Sequence, residues 1–111
     1  MTPRLNRKLT LETPVRVPDG GGGYTESWAA LGTLWADVTA RTGRERSEQG
    51  ALLSATRCRI VVRAAPVGDE ARPLPQQRFR DGTRIYGIQA VADLGADGRF
   101  LICFADEEVV A

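Results

Sequence analysis

The sequence predicts a mainly β fold: a small antiparallel β-barrel of about six strands, with one short helix or long loop inserted after the second strand. Three observations lead there. Short segments alternate apolar and polar residues with a period of two, and turn dipeptides separate them. A single stretch, residues 41–54, breaks that pattern. The 111 residues suit one domain, taken as 1–111, with one modest core.

The first expected strand, residues 7–15, sets Leu9 and Leu11 between Lys8, Thr10 and Glu12. Pro14 and Pro18 make its far end an edge or an exit. The following Asp19 and four glycines, Gly20 to Gly23, read as a hairpin tip, because glycine accepts positive φ without a steric penalty. Extended chain resumes over residues 24–28. A second strand over 31–39 places Leu34, Ala36 and Val38 on one face and Trp35 on the other, so its middle is expected to be covered on both sides. Residues 47–53 could form a short helix interrupted by Gly50, with too few apolar residues to hold it firmly to a core.

The clearest strand is 56–63, with Cys58, Ile60 and Val62 inward and Arg57, Arg59 and Arg63 outward. Pro66, Pro73 and Pro75 make residues 65–77 loop or edge. Asp81-Gly82 is a turn, 84–91 a strand with Gly87 marking a bulge or tight bend, and Ala96-Asp97-Gly98 a second turn. Residues 99–105 form the last strand, apolar on both faces and paired with its predecessor as a hairpin. Closure of such a sheet removes exposed edges that invite aggregation.

Composition excludes several chemistries. There is no histidine, which removes Ser-His-Asp and Cys-His catalysis and every His-containing zinc site. Two cysteines, Cys58 and Cys103, are too few for an all-cysteine zinc site and sit in apolar strands, so they read as buried small hydrophobes. The carboxylates Asp81 and Asp97 fall in turn dipeptides with glycine, where they serve the backbone. The glycine run lacks the Gly-Lys-Ser/Thr ending of a phosphate loop. No catalytic residue, metal ligand or cofactor site is therefore assigned, and the chain is not expected to be an enzyme. The basic start has no apolar run behind it, and no stretch approaches the roughly 18 apolar residues of a membrane span, so neither secretion nor a membrane is expected. The cytosol is the expected compartment, with reduced cysteines. A net charge of +1 gives no strong nucleic-acid footprint.

Two features invite a functional reading. Arg57, Arg59 and Arg63 share one face of one strand: a solvated outer face, or a candidate subunit interface meeting acidic residues of a neighbour. Contact with DNA phosphates is the third possibility, disfavoured by the low net charge. The segment after the second strand mixes Arg41, Arg44 and Arg46 with Glu45, Glu48 and Gln49. It reads as an exposed charged loop, or as a switch or docking arm.

The order of these features resembles the phage head–tail joining proteins, also called head-closure or stopper proteins. The resemblance runs over nearly the whole chain. It comprises LNRKLTLETP at residues 5–14, DGGGGYTESW at 19–28, LWADVT at 34–39, TGRE at 42–45 and TRCRIVVR at 56–63. It closes with DG at 81–82, RIYGIQAV at 84–91 and a last strand holding Leu101 and Cys103. The most distinctive part is Trp-Ala-x-Val behind a glycine-rich hairpin and ahead of Gly-Arg-Glu. The Pro-rich stretch 66–77 is longer than the family pattern. The arginine bias resembles versions encoded in prophages or gene transfer agents.

The resemblance implies a homo-oligomeric ring, of six or twelve subunits, in the neck of a tailed phage or phage-like particle. An adaptor and portal ring would lie above it, a tail-terminator ring below it, and packaged double-stranded DNA would pass through the lumen. The ring would retain that DNA and dock the tail. In the family the connection after the second strand can close the channel. Here it corresponds to residues 41–55, which makes Arg41, Arg44, Glu45, Arg46, Glu48 and Gln49 candidate channel-gate residues. The implied location is the bacterial cytoplasm during assembly, then the particle neck. Two alternatives remain: an OB-like barrel binding single-stranded nucleic acid, for which Tyr24, Trp28, Trp35 and Tyr86 are available as stacking residues, and a different neck component such as a tail terminator.

Overall fold

The structure, a computed structural model, describes residues 2–41 and 56–108. Six strands are formed: β1 (Arg7–Pro18), β2 (Tyr24–Arg41), β3 (Thr56–Arg63), β4 (Arg78–Asp81), β5 (Arg84–Leu94) and β6 (Phe100–Glu108). They close as a barrel in the order β1-β2-β3-β6-β5-β4, with β4 returning to β1. Every neighbouring pair is antiparallel. The expected mainly β barrel is therefore formed. Of the helix or loop expected from residue 41 on, all but Arg41, which ends β2, lies outside the described residues.

The alternation read from the sequence fills the interior. Leu9 and Leu11 of β1, Ala36 of β2 and Ile60 and Val62 of β3 are buried. They meet Phe79, Tyr86, Ile88 and Leu101 from the other side of the ring. Side chains occupy the whole lumen of so small a barrel, so nothing passes through an individual subunit.

Strand bounds differ from expectation in instructive places. Residues 24–28 and 31–39 belong to one 18-residue strand, β2. β1 continues through both prolines, with Pro14 opposite Trp28 and Pro18 opposite Tyr24. It can do so because β4 accompanies β1 only from Thr10 to Glu12. Beyond Glu12, β1 has a free edge, where a missing N–H breaks no ladder bond. Trp35 is 56% exposed, so the middle of β2 is open on its outer side, contrary to expectation. Gly87 sits in regular register opposite Asp106, and the bulge falls instead between Ile88 and Ala90, at Gln89. A second irregularity lies between Leu11 and Glu12, where Gly32 takes a φ of 147°.

The barrel has two unlike ends. At one, the first residues of β1, β3 and β5 meet the last of β2, β4 and β6, and residues 42–55 join Arg41 to Thr56 there. At the other, β1 and β2 run on past the barrel as a two-stranded arm, residues 13–30, closed by the glycine tip. The loop 64–77 and the β5–β6 turn share that second end. The loop is pinned by buried Pro73 and by Ile88 N–H donating to the Gln77 carbonyl.

Candidate functional site

The residues considered for chemistry are structural in their surroundings. Cys58 and Cys103 are free and buried. Their strands are neighbours, yet Cys58 stands opposite Ala105 and Cys103 opposite Ile60. That diagonal relation keeps Cβ atoms about 7 Å apart, too far for a disulfide, which needs about 4 Å. Burial pushes the Cys103 thiol up to about 12, and it raises Cys58 as well, with a contribution from Glu107. Neither is a thiolate nucleophile.

The glycine tip is likewise accounted for. Asp19 Oδ1 accepts from Gly21 N–H at 2.8 Å and Gly23 N–H at 3.1 Å, so the loop's own carboxylate fills the place a phosphate would take. Gly20 and Gly22 adopt φ of 83° and 87°, which is why glycine is needed there.

The arginine row emerges as expected on the outer wall. Arg57, Arg59 and Arg63 stand opposite Asp106, Phe104 and Phe100 of β6. Arg57 already meets Asp106 at 3.9 Å within the same chain. Arg59 differs. Its Nε is buried and has no hydrogen-bond partner among the described residues. It lies between two surface depressions, a groove of about 860 Å³ that also takes in Asp37, Val61, Phe100 and Ile102, and one of about 340 Å³ beside Phe104 and Gln89. The chain's own start skirts the larger groove, with Arg4 N–H donating to Asp37 Oδ2 at 3.0 Å.

The sequence reading had the last strand apolar on both faces but did not place it beside this row. Register places Val61, Ile102 and Ala92 side by side on the outer wall, with Phe104 beside Ala90 and Phe100 beside Leu94. The result is an apolar outer face on β3, β6 and β5, of which Phe104 is 40% exposed. Strands apolar on both faces were the available signal: in the last strand, Phe100, Leu101, Ile102, Cys103 and Phe104 leave no polar face at all.

Ion pairs organise both ends. Where residues 42–55 attach, Arg84 makes a two-pronged contact with Glu107 at 2.7 and 3.0 Å. Arg7 donates to Asp81 at 2.6 Å and to the Tyr86 hydroxyl at 3.2 Å. Arg84 holds the Glu107 carboxyl below its ordinary range. At the base of the arm, buried Glu12 meets Arg78 at 2.7 Å and Arg80 at 3.3 Å. Of the predicted gate residues, Arg41 ends β2 opposite Arg57. Arg44, Glu45, Arg46, Glu48 and Gln49 lie outside the described residues. Of the candidate stacking residues, Tyr86 is buried in the core, and Tyr24 is exposed on the arm.

Comparison with known proteins finds similarity to a family and to solved structures. The family model for phage head completion proteins matches residues 1–108. Among solved structures, the chain is 55% identical to a chain of one described as the virion of a native gene transfer agent particle. That match covers 99% of this chain and 100% of the other, with a TM-score of 0.84. A comparison with curated proteins finds no match.

Proposed function

Since this chain belongs to the phage head completion protein family and is a structural component of a phage or phage-like particle, we propose that it is the head-closure subunit of the neck. In this reading, copies form a ring between the portal–adaptor assembly and the tail, retain packaged double-stranded DNA and give the tail its docking surface. The observation that carries the reading is the two-ended build of the barrel. One continuous β1–β2 pair bears a projecting arm at one end and the 42–55 connection at the other. A ring of such subunits can present one structure to its neighbours and another to its lumen. The filled barrel interior supports a channel between subunits. The net charge of +1 suits a lumen through which DNA must slide without being gripped.

The closing element in this reading is residues 41–55, with Arg41, Arg44, Glu45, Arg46, Glu48 and Gln49 as the residues that narrow the lumen. The salt bridges Arg84–Glu107 and Arg7–Asp81 line the rim from which that segment departs. Opening is then a rearrangement of one connection on an unchanged barrel.

Electron microscopy of particles from a strain lacking the gene tests the role. Tailless heads, mostly empty of DNA and restored by complementation, are expected; intact tailed particles would reject it. Deleting residues 44–53 tests the gate separately. A folded, incorporated chain whose particles leak DNA is expected, and full retention would remove the gate from this segment.

A further inference from the structure

We propose that the β1–β2 arm of one copy packs on the apolar outer wall of β3, β6 and β5 in the next copy. This rests on the ring reading above and names the contact that would close it. A ring needs two different surfaces on each subunit, because its contacts are head-to-tail. The chain carries two uncharged outer surfaces, one on the arm and one on the barrel wall.

The first is one face of the arm. Register pairs Thr13 with Ala29, Val15 with Ser27 and Val17 with Thr25, which puts these six on the same side. None is charged. Val15 and Val17 are 37% and 44% exposed. The opposite face takes the charges, Arg16 opposite Glu26. A two-stranded hairpin standing alone is marginal in water. This one extends past the barrel with a neutral face uncovered.

The second surface is the outer wall, apolar through Val61, Ala92, Ile102 and Phe104 and bordered by Arg59 and Arg63. Charge is complementary. With Arg16 and Glu26 paired on the face turned away, the charge the arm brings toward the wall is that of Asp19 at its tip. The β3 outer row carries three arginines, of which Arg57 meets Asp106. The Asp19 carboxylate faces, on the wall, a row in which the guanidinium of Arg63 is exposed and that of Arg59 lies between the two depressions. The hydroxyls of Thr25 and Ser27 offer further acceptors on the docking face itself.

Area sets the condition under which such a contact between copies holds. A strip of six residues by two strands covers about 20 by 10 Å, on the order of 200 Å². A stable pair needs about 800 Å² from each partner. One arm on one wall is therefore weak, and the contact holds when every subunit both gives an arm and receives one.

Cross-linking in assembled particles tests this. Val17→Cys and Ile102→Cys are made singly and together in the full chain; native Cys58 and Cys103 are buried and silent. Under mild oxidation the double variant is expected to give a ladder of covalent oligomers. Co-expressed single variants are expected to give a mixed dimer, and neither single variant alone should give one. Val17→Asp, outside the barrel, is expected to keep the wild-type Tm and to enter particles at least tenfold less. Particles that hold many copies but show no ladder, together with normal incorporation of Val17→Asp, would overturn the arm contact and leave the ring standing. Cross-linking of Val17→Cys to a different particle protein would also overturn it. Particles holding a single copy would overturn the ring reading, and the arm contact with it.

Discussion

Glu12 is buried beneath Arg78, 2.7 Å from its Nε, and the same guanidinium lies 4.1 Å from the ring centre of Trp28. Glu12 closes the last register position shared by β1 and β4, and Trp28 stands on β2 where the arm leaves the barrel. One arginine thus ties the barrel wall to both strands of the arm at its root.

Removing Glu12 would strand Arg78 and half-exposed Arg80 without their acceptor. We expect Glu12→Ala to cost about 2–3 kcal/mol, a Tm fall of about 10 °C, measured by thermal unfolding. Glu26→Ala, on the exposed arm, should change stability by less than about 0.5 kcal/mol.

Core truncation should be costlier. Phe79 and Leu101 are fully buried in a barrel with no polar lumen to relax into. Phe79→Ala and Leu101→Ala should each lose about 3–5 kcal/mol in denaturant unfolding.

The cysteines should be silent in the folded chain. With Cys103 at 0% exposure and Cys58 at 3%, a thiol reagent at mildly alkaline pH should label neither until denaturant is added, and then both. Prompt labelling of one thiol in the native chain would contradict the closed β3–β6 seam.

The Arg84–Glu107 pair predicts a pH dependence. Arg84 lowers the Glu107 carboxyl below its ordinary 4.5. A depressed folded-state value stabilises fully above the ordinary one, and that contribution is lost as pH falls through the folded value. The stability difference between wild type and Glu107→Gln should therefore be largest above about pH 5 and shrink below about pH 4. It should not exceed about 1 kcal/mol, because Arg84 is half exposed.

Much of this fold is legible in the chain because period-two alternation and turn chemistry are local. The inward set Cys58, Ile60 and Val62, the Asp81-Gly82 turn and the β5–β6 hairpin follow from neighbours in sequence. What was not legible depends on partners across the sheet. Glu12 reads as a polar outward residue, and its burial comes from Arg78, 66 residues away. Pro14 and Pro18 read as an edge or an exit; the short β4 makes it the edge, on which the strand continues. Trp35 reads as covered because an aromatic residue stands on the face opposite Leu34, Ala36 and Val38, yet among the described residues it is 56% exposed. The arginine row was visible as an alternation. The apolar wall beside it was not, because it is assembled from β3, β5 and β6 by register.

The central claim, a ring of these barrels closing the neck, is tested most directly by electron cryomicroscopy of the neck in intact particles. The account predicts a closed ring of identical six-stranded barrels between portal and tail, with residues 42–55 at the lumen and DNA density ending at that level. A neck in which this chain is absent, or in which its 42–55 connections face outward from an open lumen, would contradict it.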